Sequence, residues 1–163
     1  MVTNTEMKPR DHAGVYVPPP LIFAAPLLMA ALVHTKQKWF IATTNHSILW
    51  IASFFAMAAG ISLGLASVLN FRNAGTTILP AGRPTTAVVD NGPYRFTRNP
   101  MYLAMVLAYL GIALLLNSMW ALLLLPIVLL IVDRFVIRRE ERYLAAKFGD
   151  SYRQYCSRVR RWF

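Results

Sequence analysis

The sequence predicts an all-α integral membrane protein of about four transmembrane helices, the third and fourth forming a tight helical hairpin, followed by cytoplasmic C-terminal helices. Two observations lead there. Ile48 to Leu69 are 22 consecutive positions without a charge, and Met101 to Val132 are 32 more. The 163-residue chain is 56% hydrophobic yet carries a net charge of +10, and the two properties are segregated: nine of its 17 basic residues lie between Arg134 and Arg161. That pattern excludes a soluble globular domain, a disordered tail and a disulfide scaffold. The lone Cys156 cannot form an internal bridge. The length suits one domain. Residues 1–163 therefore read as a single membrane domain, with 1–69 a two-helix part and 70–163 the polar loop, hairpin and C-terminal helices.

A helix rising about 1.5 Å per residue needs roughly 20 apolar residues to cross a core about 30 Å thick. Leu21 to Val33 is shorter, and extended back to Pro18 and on to about His34 it gives a marginal crossing. Pro20 suits a first helical turn, whereas the Pro18-Pro19-Pro20 run cannot lie inside a helix. The triproline and the missing small-residue cleavage site argue against a signal peptide. Ile48 to Leu69 crosses without help. Met101 to Val132 is too long for one span and breaks at Asn117-Ser118, giving helices Met101 to Leu116 and Met119 to Val132. Pro126 is expected to kink the second. Asp133 to Phe148 reads as its charged continuation, ending at Gly149, with Asp150 or Ser151 capping the next helix.

Lys and Arg stay on the cytoplasmic side. Four spans place 15 of the 17 basic residues there and only Lys36 and Lys38 outside, so both termini and the large polar segments are expected to be cytoplasmic. Asn70 to Pro100 has turn signals at Pro80-Ala81-Gly82, Asp90-Asn91-Gly92 and Asn99-Pro100, with Ile78, Leu79, Val88, Val89, Tyr94 and Phe96 as apolar anchors. Gly60 and Gly64, four apart in a membrane helix, suggest close helix packing.

The densest chemistry lies at Gly92-Pro93-Tyr94-Arg95-Phe96-Thr97-Arg98-Asn99-Pro100-Met101-Tyr102. Pro100 at the start of a helix directs the first amides toward a bound anion. Arg95 and Arg98 can grip a carboxylate, and Tyr94 and Tyr102 offer faces to a sulfonium or ammonium. Read singly, these are topology and interfacial-belt residues. Glu140 and Glu141 form the second cluster. Their side chains diverge by about 100°, so one can face inward while the other pairs with Arg138 or Arg142. Surface ion pairs are the plain alternative. Tyr152 and Tyr155 are expected to be mostly architectural, or to wall a pocket. His12, His34 and His46 are far in sequence from the acidic pair and Cys156, so no metal site is expected. Headgroup attraction accounts for the charge without nucleic acid.

The order Phe71-Arg72-Asn73-Ala74-Gly75-Thr76-Thr77, Asn91 to Arg95, Thr97 to Tyr102, Glu140-Glu141-Arg142, Phe148-Gly149, Tyr152 and Tyr155 resembles the isoprenylcysteine carboxyl methyltransferase and phospholipid methyltransferase superfamily. The resemblance implies a membrane enzyme that uses S-adenosylmethionine at the cytoplasmic face and methylates a lipophilic small-molecule or lipid-modified acceptor, either an isoprenylcysteine-like carboxylate or a lipid amine. Carried over by position, Gly92, Tyr94, Arg95, Arg98, Asn99, Pro100, Tyr102, Glu140, Glu141 and Tyr152 are expected to bind the cofactor, with Arg98, Glu140 and Glu141 in catalysis. Two departures bear on the acceptor: Asn99 stands where the eukaryotic isoprenylcysteine enzymes have His, and no longer tail extends past Trp162-Phe163. An NADPH-dependent sterol-type reductase, whose C-terminal region has a similar turn and Glu-Glu helix, is the rival reading. A non-catalytic lipid-binding membrane protein is the third.

Overall fold

A computed structural model describes Gly14 and residues 17–44, 46–75 and 86–162. Lys8, Arg10, His12, Thr76, Thr77, Ile78, Leu79, Arg83 and the turn at Pro80-Ala81-Gly82 lie outside these residues. Among the described residues every regular element is helical, and one isolated bridge pairs Phe40 with Ser118. The helices are α1 (Pro19–Lys36), α2 (His46–Asn73), α3 (Pro100–Leu115), α4 (Met119–Ile131), α5 (Arg138–Phe148) and α6 (Asp150–Arg158). A 3-10 turn, Gly92–Arg95, precedes α3, and a π segment, Val132–Ile137, joins α4 to α5.

Three helical stretches are long and apolar enough to cross a membrane: Pro19–Lys36, His46–Asn73 and the continuous Met119–Phe148. The fourth expected span, α3, has 16 residues, about 24 Å at 1.5 Å per residue. Its apolar length falls short of a full crossing by itself, and it is sandwiched by α2 on one side and by α1 and α4 on the other. Large side chains on the outer helices, such as Leu32 (69% exposed) and Phe54 (67%), face outward. In lipid such a surface is satisfied, because hydrocarbon tails are as apolar as the side chains.

Close approach of α2 and α3 replaces bulky interdigitation. A Cβ on Gly60 would meet the carbonyl oxygen of Ala104 at 2.9 Å and the amide nitrogen of Ala108 at 3.0 Å, so only glycine allows this spacing. The Ser53 hydroxyl, buried in the same interface, donates to the Gly111 carbonyl at 2.7 Å. Such interhelical hydrogen bonds contribute about 0.6 kcal/mol in membranes. On the other side, Phe23 and Ala30 of α1 join Tyr109, Ala121, Leu125 and Val128 in the main core.

The hairpin turn falls at Asn117-Ser118, as expected, and it is pinned to the α1–α2 connection. Asn117 adopts φ +49°, a left-handed conformation that Asn tolerates. Its Oδ1 accepts from the Ile41 and Ala42 amides at 2.9 and 3.0 Å, and its Nδ2 donates to the Ala42 carbonyl at 2.8 Å. Ser118 caps α4 through the Ala121 amide. Pro19 and Pro20 occupy the first turn of α1, where missing amide protons cost nothing, and Pro26 lies farther inside that helix. In the second half of the hairpin, the departure from α geometry comes at Val132–Ile137, downstream of Pro126.

Gly149, at φ +54°, ends α5 and admits the turn into α6. The expected side-chain cap there is not formed. Asp150 is the first helical residue of α6 and pairs instead with Arg153 at 2.7 Å. Both short helices are amphipathic. Leu144, Ala145 and Phe148 pack against a buried Tyr152, Tyr155 and Val159.

Candidate functional site

The start of α3, the end of α2, the beginning of α1 and the inner faces of α5 and α6 meet at one end of the bundle. They enclose a cavity of about 280 Å³. Its wall includes seven residues singled out in the sequence: Tyr94, Arg98, Asn99, Tyr102, Glu140, Glu141 and Tyr152. Tyr155 lines it too. Three others lie off the wall. Pro100 is buried as the first residue of α3, and Arg95 is exposed. Gly92, at φ +55°, holds the turn so close to Asn70 that a Cβ would collide with its amide. Phe96, read as an apolar anchor of the loop, is instead 78% exposed.

Each wall residue is placed by a contact made elsewhere. The ring of Tyr94 meets Phe71 of α2 edge-on at 5.2 Å, and its carbonyl accepts from the Tyr155 hydroxyl at 2.8 Å. The 3-10 turn is thereby tied to both α2 and α6. Tyr102, on the first turn of α3, donates to Glu140 Oε1 at 2.7 Å. Helix geometry leaves the Met101 and Tyr102 amides without carbonyl partners in α3, beside the cavity that both residues line.

The two glutamates both line the cavity, so the expected split into one inward and one outward residue is corrected. Their partners also differ from the neighbouring arginines anticipated for them. Arg138 pairs with Asp133 at 3.2 Å, and Arg142 donates to the Arg138 carbonyl. Glu141 is met by Arg98 at 3.2 Å and by Arg161, with Nη2 to Oε2 at 2.5 Å and Nε to Oε1 at 3.1 Å. Among the described residues Glu140 has no cationic partner, only the Tyr102 hydroxyl.

The π segment accounts for part of this arrangement. Such a turn holds one more residue than an α turn and rotates the helix beyond it. Val132, Val136 and Ile137 stay in the core while Glu140 and Glu141 come round to the cavity. Asp133, in the same segment, accepts from Arg161 Nη1 at 3.1 Å. Neither Asp133 nor Arg161 was distinguished by sequence, since nothing local marks a partner 28 residues away. Pro19, Pro20, Met101 and Met105 were also missed as cavity residues. The triproline before an apolar run was the one signal available for the first two.

Arg98, on the cavity wall, is held by backbone and side chain together. Its backbone amide donates to the Arg160 carbonyl at 3.0 Å, and its Nη1 reaches Cys156 Sγ at 2.7 Å. Among the described residues its buried Nε has no partner. An unpaired buried donor costs roughly 1–3 kcal/mol. The Asn99 side-chain amide is taken by the Arg161 carbonyl at 2.9 Å, which leaves its Oδ1 as an acceptor.

Burial raises the phenol pKa of Tyr94, and the neighbouring Tyr155 and Glu140 add to the rise. Tyr152 and Tyr155 are likewise pushed up, mainly by burial. All three stay protonated at neutral pH, serving as aromatic walls and hydrogen-bond donors rather than bases. Hydrogen bonding to Glu141 raises the pKa of Arg161, fixing its charge more firmly. Among the described residues no cluster of His, Cys, Asp or Glu has metal-ligand geometry.

Comparison with known proteins gives three relatives. A 62-residue match, 47% identical, covers 38% of this chain and 98% of an uncharacterized protein of Haemophilus influenzae. The cobalt-zinc-cadmium resistance protein CzcN of Cupriavidus metallidurans is 26% identical over 136 residues, 83% of this chain and 58% of that protein. The protein-S-isoprenylcysteine O-methyltransferase of Schizosaccharomyces pombe is 38% identical over 72 residues, 44% of this chain and 30% of the yeast enzyme. The chain thus spans little more than half of CzcN and under a third of the yeast protein. No solved structure shows significant similarity to it. Residues 48–151, well over half of the chain and including the cavity from Phe71 through Glu141, match the phospholipid methyltransferase family, and the chain belongs to that family of membrane methyltransferases.

Proposed function

We propose that the protein transfers a methyl group from S-adenosylmethionine to a lipophilic acceptor, an isoprenylcysteine-like carboxylate or a lipid amine, at the cytoplasmic membrane face. One observation carries the reading. A single cavity at the start of α3 gathers five tyrosines, a carboxylate with no cationic partner among the described residues and a half-buried arginine whose buried Nε has no partner there either.

The residues present fit that cofactor group by group. Aromatic faces of Tyr94, Tyr102 and Tyr152 suit its sulfonium. Glu140 suits its ammonium. Arg98, with the Met101 and Tyr102 amides at the helix N-terminus, suits its carboxylate. Asn99 Oδ1 is an acceptor for an adenine amino group. Arg95, exposed and off the wall, has no part in this assignment.

When bound, S-adenosylmethionine supplies an electrophilic methyl on sulfur, so that a new oxygen–carbon or nitrogen–carbon bond forms as the carbon–sulfur bond breaks and its electron pair stays on sulfur. The chain's own residues then have three tasks. The mostly apolar wall, including Met101, Met105 and Leu144, excludes water and strips hydration from an acceptor carboxylate, which needs no base. An amine acceptor must first lose a proton, and a glutamate of the cavity is the kind of group that accepts it. Arg98 and Glu141 hold the polar end of the site in one orientation.

The test is a transfer assay in proteoliposomes with methyl-labelled S-adenosylmethionine. One arm supplies a prenylated cysteine with a free carboxylate, the other phosphatidylethanolamine. Label in the organic extract with either acceptor supports the reading. Failure of both, together with acceptor-dependent NADPH oxidation, would favour the reductase reading instead; silence in every arm would leave a lipid-binding protein.

A further inference from the structure

We infer that Arg161 is a positioning residue of the site, and that residues 159–162 form a strap fixing the polar end of the cavity from outside. This rests on the proposed cofactor reading, because its consequence is a pre-set orientation of Glu141 and Asn99 toward that cofactor.

The strap leaves α6 at Val159, whose backbone is extended, and runs back across the entrance to α3. Its backbone carbonyls do the first part of the work. The Arg160 carbonyl accepts from the Arg98 amide at 3.0 Å. The Arg161 carbonyl accepts from Thr97 Oγ1 at 3.0 Å and from Asn99 Nδ2 at 2.9 Å. Three consecutive residues of the turn, Thr97, Arg98 and Asn99, are therefore held by the strap. Trp162 packs against the main core and anchors its far end.

The Arg161 side chain does the second part. Its planar guanidinium spans two helical segments, reaching Asp133 in the π segment and both oxygens of Glu141 in α5. A two-point pair of this kind fixes direction as well as distance. A freely rotating glutamate would have several rotamers to lose on binding a ligand. Here Glu141 is already set, clamped between Arg161 outside and Arg98 on the wall. Arg161 is not on the wall, so any effect it has on a ligand passes through Glu141 and Asn99.

Isothermal calorimetry with S-adenosylmethionine on the purified full chain tests this, alongside the ligand-free Tm. The set is wild type, Arg161→Ala, Arg161→Lys, Asp133→Asn, Glu141→Gln and the Arg161→Ala/Glu141→Gln double variant. Losing one charge-assisted two-point pair corresponds to roughly tenfold in affinity. Arg161→Ala is expected to bind about tenfold more weakly, with Arg161→Lys in between. Asp133→Asn, which frees the outer anchor and leaves Glu141 paired, is expected to lose a smaller part, so the strap remains testable if Arg161→Ala fails to fold. In the Glu141→Gln background, Arg161→Ala is expected to cost little more. Wild-type affinity in Arg161→Ala, or losses that simply add in the double variant, would overturn the inference alone. No binding by the wild type would overturn the cofactor reading, and this inference with it.

Discussion

The Tyr102 hydroxyl donates to Glu140 Oε1 at 2.7 Å, joining the first turn of α3 to the first turn of α5 across 38 positions of chain. The bond fixes a carboxylate that has no arginine or lysine on it among the described residues. Glu141, one position on, carries two arginines. Adjacent residues of the same type thus have opposite electrostatic surroundings. On the proposed function, Glu140 is the one left to meet the cofactor's ammonium, while Glu141 ties Arg98 to Arg161.

That division predicts unequal mutants. Glu140→Gln is expected to weaken S-adenosylmethionine binding by about tenfold or more while leaving the Tm within a few degrees, since no ion pair is broken. Glu141→Gln removes a partner from two guanidinium groups, and stranding partly buried charges is costly. It is expected to lower both affinity and Tm. Calorimetry and thermal unfolding of the two variants side by side check the contrast; equal Tm losses would contradict it.

The π segment makes a prediction about register. Deleting Phe135, which is 60% exposed, removes one residue without opening the core. A continuous α-helix then results, and because the deleted residue is the one by which a π turn exceeds an α turn, α5 keeps its facing relative to α4. Glu140 and Glu141 stay on the cavity wall. The expected outcome is near-native helix content by circular dichroism with S-adenosylmethionine binding retained; loss of binding in a folded variant would contradict this account of the register.

Gly60 and Gly64 are expected to behave differently despite their shared spacing. A Cβ at Gly60 meets backbone atoms at 2.9 and 3.0 Å, whereas at Gly64 the nearest neighbour is the Ala104 Cβ at 3.6 Å. Gly60→Ala is expected to destabilise the α2–α3 interface by about 1–3 kcal/mol, the usual cost of overpacking. Gly64→Ala is expected to be tolerated. Thermal unfolding in detergent distinguishes them.

The buried phenols set an alkaline limit. Tyr94, Tyr152 and Tyr155 have folded-state pKa values raised above the ordinary 10.0 by burial. A raised value means the folded state holds its proton more tightly than the unfolded chain. Their stabilisation is therefore fully present below about pH 10 and is lost as pH climbs from there toward the folded values. The Tm is expected to be insensitive to these groups between about pH 7 and 9 and to fall above about 10. Tyr152→Phe is expected to soften that alkaline fall.

Much of this architecture was legible in the sequence because it depends on local signals. Uncharged runs marked the apolar helices, Asn117-Ser118 the hairpin, Gly149 the end of α5 and Pro100 the start of α3. The clustering of Tyr94, Arg98, Asn99 and Tyr102 was legible for the same reason, since all four lie within nine residues. What escaped was long-range. The arginines expected on the glutamates were the neighbours Arg138 and Arg142, yet Arg98 and Arg161 hold Glu141 from other elements. The π turn shifts hydrogen bonds by one residue and leaves no distinctive residue pattern. The shelter of α3 is long-range in the same way: its 16 residues, read from composition as one of two short hairpin helices, lie between α2 and the pair α1 and α4.

The most direct test is calorimetric titration of the detergent-purified protein with S-adenosylmethionine, comparing wild type, Glu140→Gln and the off-wall control Arg95→Ala. We expect saturable binding by the wild type, unchanged binding by Arg95→Ala and at least about tenfold weaker binding by Glu140→Gln. Equal affinity in all three, or wild-type heat with NADPH and none with S-adenosylmethionine, would contradict the assignment of this cavity.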